Sequence, residues 1–338
     1  MPARKIWMKH LFFASILAAS PAWAASARAT VAAGGMNILP TFDSSITSDP
    51  NAAAIENTIN NAISVYHQDF SNQLSVPIYF SEMSTGLGQS SDALTSVNYS
   101  DFRTALASEP ASPVRTTALQ YLPSQSSDPI PNTTGSGLWL SAANANALVA
   151  SGQLSSSYSS TPQYDGTISL NTSITYPGGA GSPSGYSLET VVMHEIDEVL
   201  GLGSALPNYG TASGDLNAPR PEDLYRYAAD GTRSFSTSAS GSVYFSLNGT
   251  TDLTQFNNSN NGGDYGDWAS NPLPSGASPQ VQDAFITGGQ NITLGSNEFA
   301  ALQAIGYVQV PDPAGIALLA AGLAAALTLS TRRKRPRA

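Results

Sequence analysis

SLETVVMHEIDEVLGLGS, residues 187–204, contains the helix around which the chain is organised. Turned at about 100° per residue, Val192, Ile196, Val199 and Leu200 fall on one side as an apolar stripe. His194, Glu198 and Gly201, spaced four and three apart, share the opposite side, with Glu195 and Asp197 flanking them. Ser187 offers an N-cap, and Gly201 and Gly203 are natural stops. Such a helix aims one imidazole and up to three carboxylates the same way. Like charges at that spacing repel unless a cation or water lies between them, so a shared divalent metal is the expectation.

The motif resembles the H-E-x-x-H-x-x-G-x-x-H signature of the metzincin metalloproteases, whose helix supplies two metal ligands and the general base. His194, Glu195 and Gly201 match it, while Glu198 stands where the second histidine would be and Ser204 where the third would be. The resemblance implies an α+β, zincin-like protease domain. It would have a mixed sheet, a motif-bearing active-site helix and a loop-rich C-terminal subdomain.

Composition narrows the field. Only 11% of the 338 residues are charged, and there is no cysteine, so a hydrophobic core or bound ions must hold the fold. Between residues 25 and 310, six arginines and no lysine stand against 23 acidic residues, a formal net charge of −17. A body this acidic repels nucleic-acid phosphates and attracts cations, which excludes DNA or RNA as a partner.

The two ends read as addresses. Arg4, Lys5 and Lys9, the apolar run from Leu11 to Ala19 and then Ala22-Trp23-Ala24 form a secretory signal peptide over 1–24, with Ala25 as the expected mature start. At the other end come Val310-Pro311-Asp312-Pro313, an apolar stretch from Ala314 to Ser330, and a basic tail from Arg332 to Arg337. This layout resembles a PEP-CTERM sorting signal over 310–338, with Asp312 where the motif name carries glutamate. It implies processing by an exosortase-type enzyme in a Gram-negative-type bacterium, and a transmembrane segment at 314–330 that holds the chain at the membrane before processing. Either way the expected location is exported, in the cell envelope or extracellular matrix.

The body, 25–309, divides into an upper part to about 204 and a lower part from 205. A first strand is expected over Thr30–Phe42, an amphipathic helix over 50–70 with apolar positions 55, 59, 63 and 66, and a strand over 76–83. The glycine- and serine-rich STGLGQSS follows, and the Pro/Ser/Asn stretch 110–135 reads as a loop. A short helix is expected over Tyr99–Ser108, another over Ala142–Ala150, a strand over 165–170 and a final helix over 298–307. Taken together, TFDSSI, HEIDEVLG, DLYRY, YFSLNGTTDLTQFN, GGDYGDWAS and LQAIGY resemble a family of exported, metzincin-like metalloproteases that carry HExxE in place of HExxH.

The chemistry then takes this form. His194 and Glu198, four apart, can reach one ion, and Glu195 on the helix shoulder would be the general base that activates water. Beyond the leader the chain holds only His67 and His194, so carboxylates must complete any metal site. Zn2+ is the first expectation, and such an anionic donor set also admits manganese, iron or calcium. The third ligand is open. Asp223 lies 29 residues past His194, a separation similar to that of the downstream glutamate of gluzincins, and Asp264 and Asp267 in the glycine-rich loop come next. His67, Glu222, Asp215 or water alone follow.

Two functions are expected from this reading. One is an exported metallopeptidase that cleaves peptide or protein substrates. The other is a catalytically inactive metal-binding envelope or biofilm-matrix protein on the same fold. A serine hydrolase is disfavoured, because no G-x-S-x-G elbow is present.

Overall fold

A computed structural model describes residues 35–130, 137–178, 185–206, 219–237 and 241–310. The signal peptide, residues 30–34 of the expected first strand, Asp215 and the sorting signal from Pro311 onward lie outside the described residues. Residues up to Val308 form one unit and those from Gln309 a second, and every element below belongs to the first.

Strand β1 (Met36–Phe42) runs into a short helix α1 (Ser44–Thr47), whose first turn is capped by Asp43 accepting from the Ser45 N–H. Helix α2 (Ala52–Asp69) buries Ile55, Ile59, Ile63 and Tyr66, the stripe that its periodicity predicts. It returns the chain to β2 (Leu74–Glu82), which pairs parallel to β1. Strands β3 (Gly88–Asp92) and β4 (Leu94–Asn98) follow, then helices α3 (Tyr99–Ser108) and α4 (Pro113–Tyr121). Next come β5 (Gly137–Ser141), α5 (Ala142–Ala150) and β6 (Gly166–Leu170). The two-residue strands β7 (Thr175–Tyr176) and β8 (Tyr186–Ser187) lead directly into α6 (Leu188–Leu200). Past the motif, a 3-10 turn at Pro221–Tyr225, strands β9 (Arg226–Ala228), β10 (Val243–Phe245) and β11 (Thr254–Gln255), and helix α7 (Ser296–Ala304) are separated by long irregular loops.

The central sheet is mixed, in the order β1-β2-β6-β3, with β6 parallel to β2 and β3 antiparallel at the edge. This is an α+β fold with a motif-bearing helix packed on a mixed sheet, an arrangement consistent with a zincin. Two glycines allow the helix to come down on the strands. A Cβ on Gly88 of β3 or on Gly166 of β6 would collide with Glu195 or Val199 of α6. Side chains there would have to displace the Glu195 carboxylate and a Val191 methyl, or the Val199 side chain.

The glycine- and serine-rich STGLGQSS, to which the sequence assigns no element, gives its second half to β3, which pairs with β6 from Gly88↔Leu170 to Asp92↔Gly166. Two expectations change. The stretch 110–135 contains α4, started by Ser112 accepting from the Arg115 N–H and by Pro113 in the first turn. The membrane-spanning segment and the membrane partner are also corrected. No helix among the described residues is long and apolar enough to cross a membrane, and the stretch on which that expectation rested, 314–330, lies outside them.

Candidate metal centre

Helix α6 begins as its sequence predicts. The Ser187 hydroxyl accepts from the Thr190 N–H at 3.2 Å, and the helix ends at Gly201, whose φ of +122° favours glycine. The expected one-sided stripe is only half the picture. Every residue of α6 except Glu189 is buried, the acids included, because β3 and the loops of the downstream part enclose its polar side.

His194, Glu195 and Glu198 lie inside this enclosure, each offering a ligand atom within 4.8 Å of the other two. The His194 ring is held by its Nδ1–H donating to the Val281 carbonyl at 2.9 Å. That bond makes Nδ1 a donor, so in the neutral ring Nε2 carries the lone pair. Nε2 has no hydrogen-bond partner and is fully buried. Facing it are Glu198 Oε1 at 3.6 Å and Asp267 Oδ1 at 3.7 Å. The second oxygen of Glu198 accepts from the Ser90 hydroxyl of β3 at 2.7 Å. Asp267 Oδ2 accepts from the Asp264 N–H at 3.1 Å, and Oδ1 has no hydrogen-bond partner.

These distances suit an ion. Atoms bound to one tetrahedral centre at about 2.0–2.2 Å lie about 3.3–3.6 Å apart. Electrostatics agree. Burial alone would pull the His194 pKa down, but Asp267, Glu198 and Glu195 around it raise it well above its ordinary value. Burial pushes the Asp267 carboxyl well up, against the pull of His194, with Asp264 and Glu198 adding to the rise. Three carboxylates around one buried ring favour positive charge there, a proton on the imidazole or a metal ion in its place. The donors present, one neutral imidazole nitrogen and carboxylate oxygens, can chelate a divalent ion such as zinc.

The other candidates are employed elsewhere. Asp223 Oδ1 accepts from the Ser204 hydroxyl at 2.6 Å, and its Oδ2 accepts from the N–H groups of Arg220 at 2.9 Å and Ala205 at 3.4 Å. It therefore closes the 3-10 turn onto the exit of α6, and Ser204 is its partner. Glu222 Oε2 accepts from the Gly203 N–H at 2.5 Å. Asp197 turns toward α2, where the Tyr66 hydroxyl lies 2.8 Å from Oδ1. His67 stands at the end of α2, its Nε2 accepting from the Ile38 N–H at 2.9 Å. Asp264 is half-buried beside Asp267. Sequence reasoning did not find Ser90, Gly88 or the Val281 carbonyl, none of which belongs to a recognisable motif.

No family model matches the chain, and neither the curated proteins nor the solved structures give a significant match. The resemblance to HExxE metalloproteases therefore rests on the motif helix and its buried triad.

Proposed function

We propose that this chain is an exported metallopeptidase of metzincin-like design, with His194 and Glu198 as metal ligands and Glu195 as general base. One observation carries the reading: the imidazole of His194, locked with Nε2 free, faces the carboxylate of Glu198, and Glu195 lies beside both. A divalent ion held there, zinc first, would polarise a peptide carbonyl and acidify water. The chain's own residues do the rest. Val281 orients His194, Ser90 orients Glu198, and Glu195 takes a proton from the attacking water and passes it to the leaving amine. Strand β3, at the edge of the sheet and against α6, suits pairing with an extended peptide. The leader-like residues 1–24 support a site of action outside the cytoplasm.

A second reading is favoured by burial. His194 and Glu195 are 0% exposed and Glu198 is 2% exposed. Structural metal sites are closed and catalytic ones keep an open position, so the same cluster supports a non-catalytic, metal-binding envelope or matrix protein. The test is metal content and casein cleavage by the purified chain, with and without chelator, beside Glu195→Gln. Cleavage abolished by chelator and by Glu195→Gln supports the peptidase. Bound metal without cleavage supports the second reading, and cleavage that survives both treatments ends the first.

A further inference from the structure

We propose that Asp267 is the third protein ligand of this ion, and that the segment Phe256–Ser270 is a strap whose seating on the motif helix the ion completes. The inference rests on the metal reading above and adds to it a residue 73 positions downstream of His194. Asp267 Oδ1 lies 3.7 Å from His194 Nε2, and neither atom has a hydrogen-bond partner. Both residues are at least 99% buried. At 3.7 Å the two buried atoms attract each other but stand too far apart to hydrogen-bond, and that separation leaves room for a shared ion between them.

The rest of the strap is built to hold that oxygen in place. The Asp264 N–H takes up Oδ2, which leaves Oδ1 for His194. The Asp267 carbonyl accepts from the Asn257 N–H at 2.7 Å, closing the loop on itself. Trp268 is fully buried, with its ring centroid 5.1 Å from Phe256 and 5.5 Å from Phe245. The Trp268 backbone N–H donates to the Gln282 carbonyl at 2.7 Å, so the strap is fastened to the segment whose Val281 carbonyl orients His194. Gly266 packs on the backbone of Gly203 and Ser204 so closely that a Cβ would collide with Gly203. The Arg226 guanidinium reaches both the Tyr265 carbonyl and Asn258 Oδ1 and lies over the Phe256 ring. Side-chain bonds add to these anchors, with Asn258 Nδ2 donating to the Gly241 carbonyl at 3.0 Å and the Phe285 N–H to Ser270 Oγ at 2.8 Å. Asp267 against His194 is the contact where a cation would draw the strap onto the motif helix. Asp223 cannot take this role while both of its oxygens close the turn at Ser204.

The test does not depend on turnover. The chain has no cysteine, so Asp267→Cys introduces one thiol, and Co2+ loading reads whether position 267 ligates. A near-ultraviolet thiolate-to-cobalt charge-transfer band, absent from the wild type, is expected. Asp267→Asn should lose more than about 100-fold in Zn2+ affinity by chelator competition, since even outer-shell losses cost about 10–100-fold. Hydrogen exchange should show zinc-dependent protection of 256–270 in the wild type and in Asp223→Asn, but not in Asp267→Asn. Wild-type zinc affinity in Asp267→Asn, or a folded, cobalt-loaded Asp267→Cys without the band, overturns the proposal and leaves the His194–Glu198 site standing. A wild type that binds neither Zn2+ nor Co2+ ends both readings.

Discussion

Gly88 lies against the carboxylate of Glu195, so closely that a Cβ at position 88 would collide with Oε1 and stand 2.7 Å from Cγ1 of Val191. The edge strand thus sets where Glu195, the proposed general base, sits. Gly88→Ala should push the carboxylate aside while leaving His194 and Glu198 in place. A displacement of about 1 Å is enough to cost about 10²-fold in rate. The expected outcome is a 10- to 100-fold drop in kcat/KM on a peptide substrate (an order-of-magnitude figure) with unchanged zinc stoichiometry. Zinc lost together with activity would mean that Glu195 serves the ion directly.

Two residues along the same strand, Ser90 donates to Glu198 Oε2 and leaves Oε1 on the side of His194. Removing the hydroxyl frees the carboxylate to rotate. Ser90→Ala should weaken zinc binding about 10-fold, the lower end of outer-shell losses, and Ser90→Thr should restore most of it. Chelator competition measures both. An affinity equal to wild type in Ser90→Ala would show that the enclosure alone holds Glu198.

What was legible in the sequence followed from periodicity and caps. Helix α6 starts at Ser187 and stops at Gly201 because those residues are chemically suited to ends, and α2 buries the four positions that its spacing singles out. Strand β3 was not legible. Its inward residues are Gly88, Ser90 and Asp92, which look like a turn, and they face inward because a helix full of acids presses on them. No apolar alternation marks a strand whose buried face is polar. The enclosure of α6 was hidden for the same reason, since a half-polar helix reads as half-solvated. Separation from His194 put Asp223 ahead of Asp267, and the structure brings Asp267 nearer the ring. Backbone turns around Arg220 and Trp268 decide which carboxylate arrives, and neither turn has a sequence signature.

Arg220 pairs with Asp92, and both side chains are buried, which ties the end of β3 to the segment entering the 3-10 turn. Burying this pair is expensive, and breaking it is more so, because a buried charge then loses its opposite charge at this contact. Arg220→Met or Asp92→Leu should each cost about 3–5 kcal/mol, whereas the double variant should recover much of that loss. Urea unfolding of the four proteins forms the cycle. Strictly additive losses would show that the two residues do not act as a pair.

His67 closes α2 onto β1 by accepting the Ile38 N–H at Nε2, a bond that an Nε2-protonated imidazole cannot make. Burial lowers its pKa below the ordinary 6.5. With the folded value below the unfolded one, the unfolded chain takes up the proton more readily, so acid favours unfolding. The stabilisation from neutral His67 is whole above pH 6.5, shrinks as pH falls from there toward the lowered folded value, and is gone below it. His67→Gln offers an amide oxygen for the same N–H and does not titrate. Measured metal-free, so that His194 contributes equally to both proteins, the variant should lose less stability than wild type as pH falls through this window. A wild-type-minus-variant difference that stays flat with pH would place the acid sensitivity of the fold elsewhere.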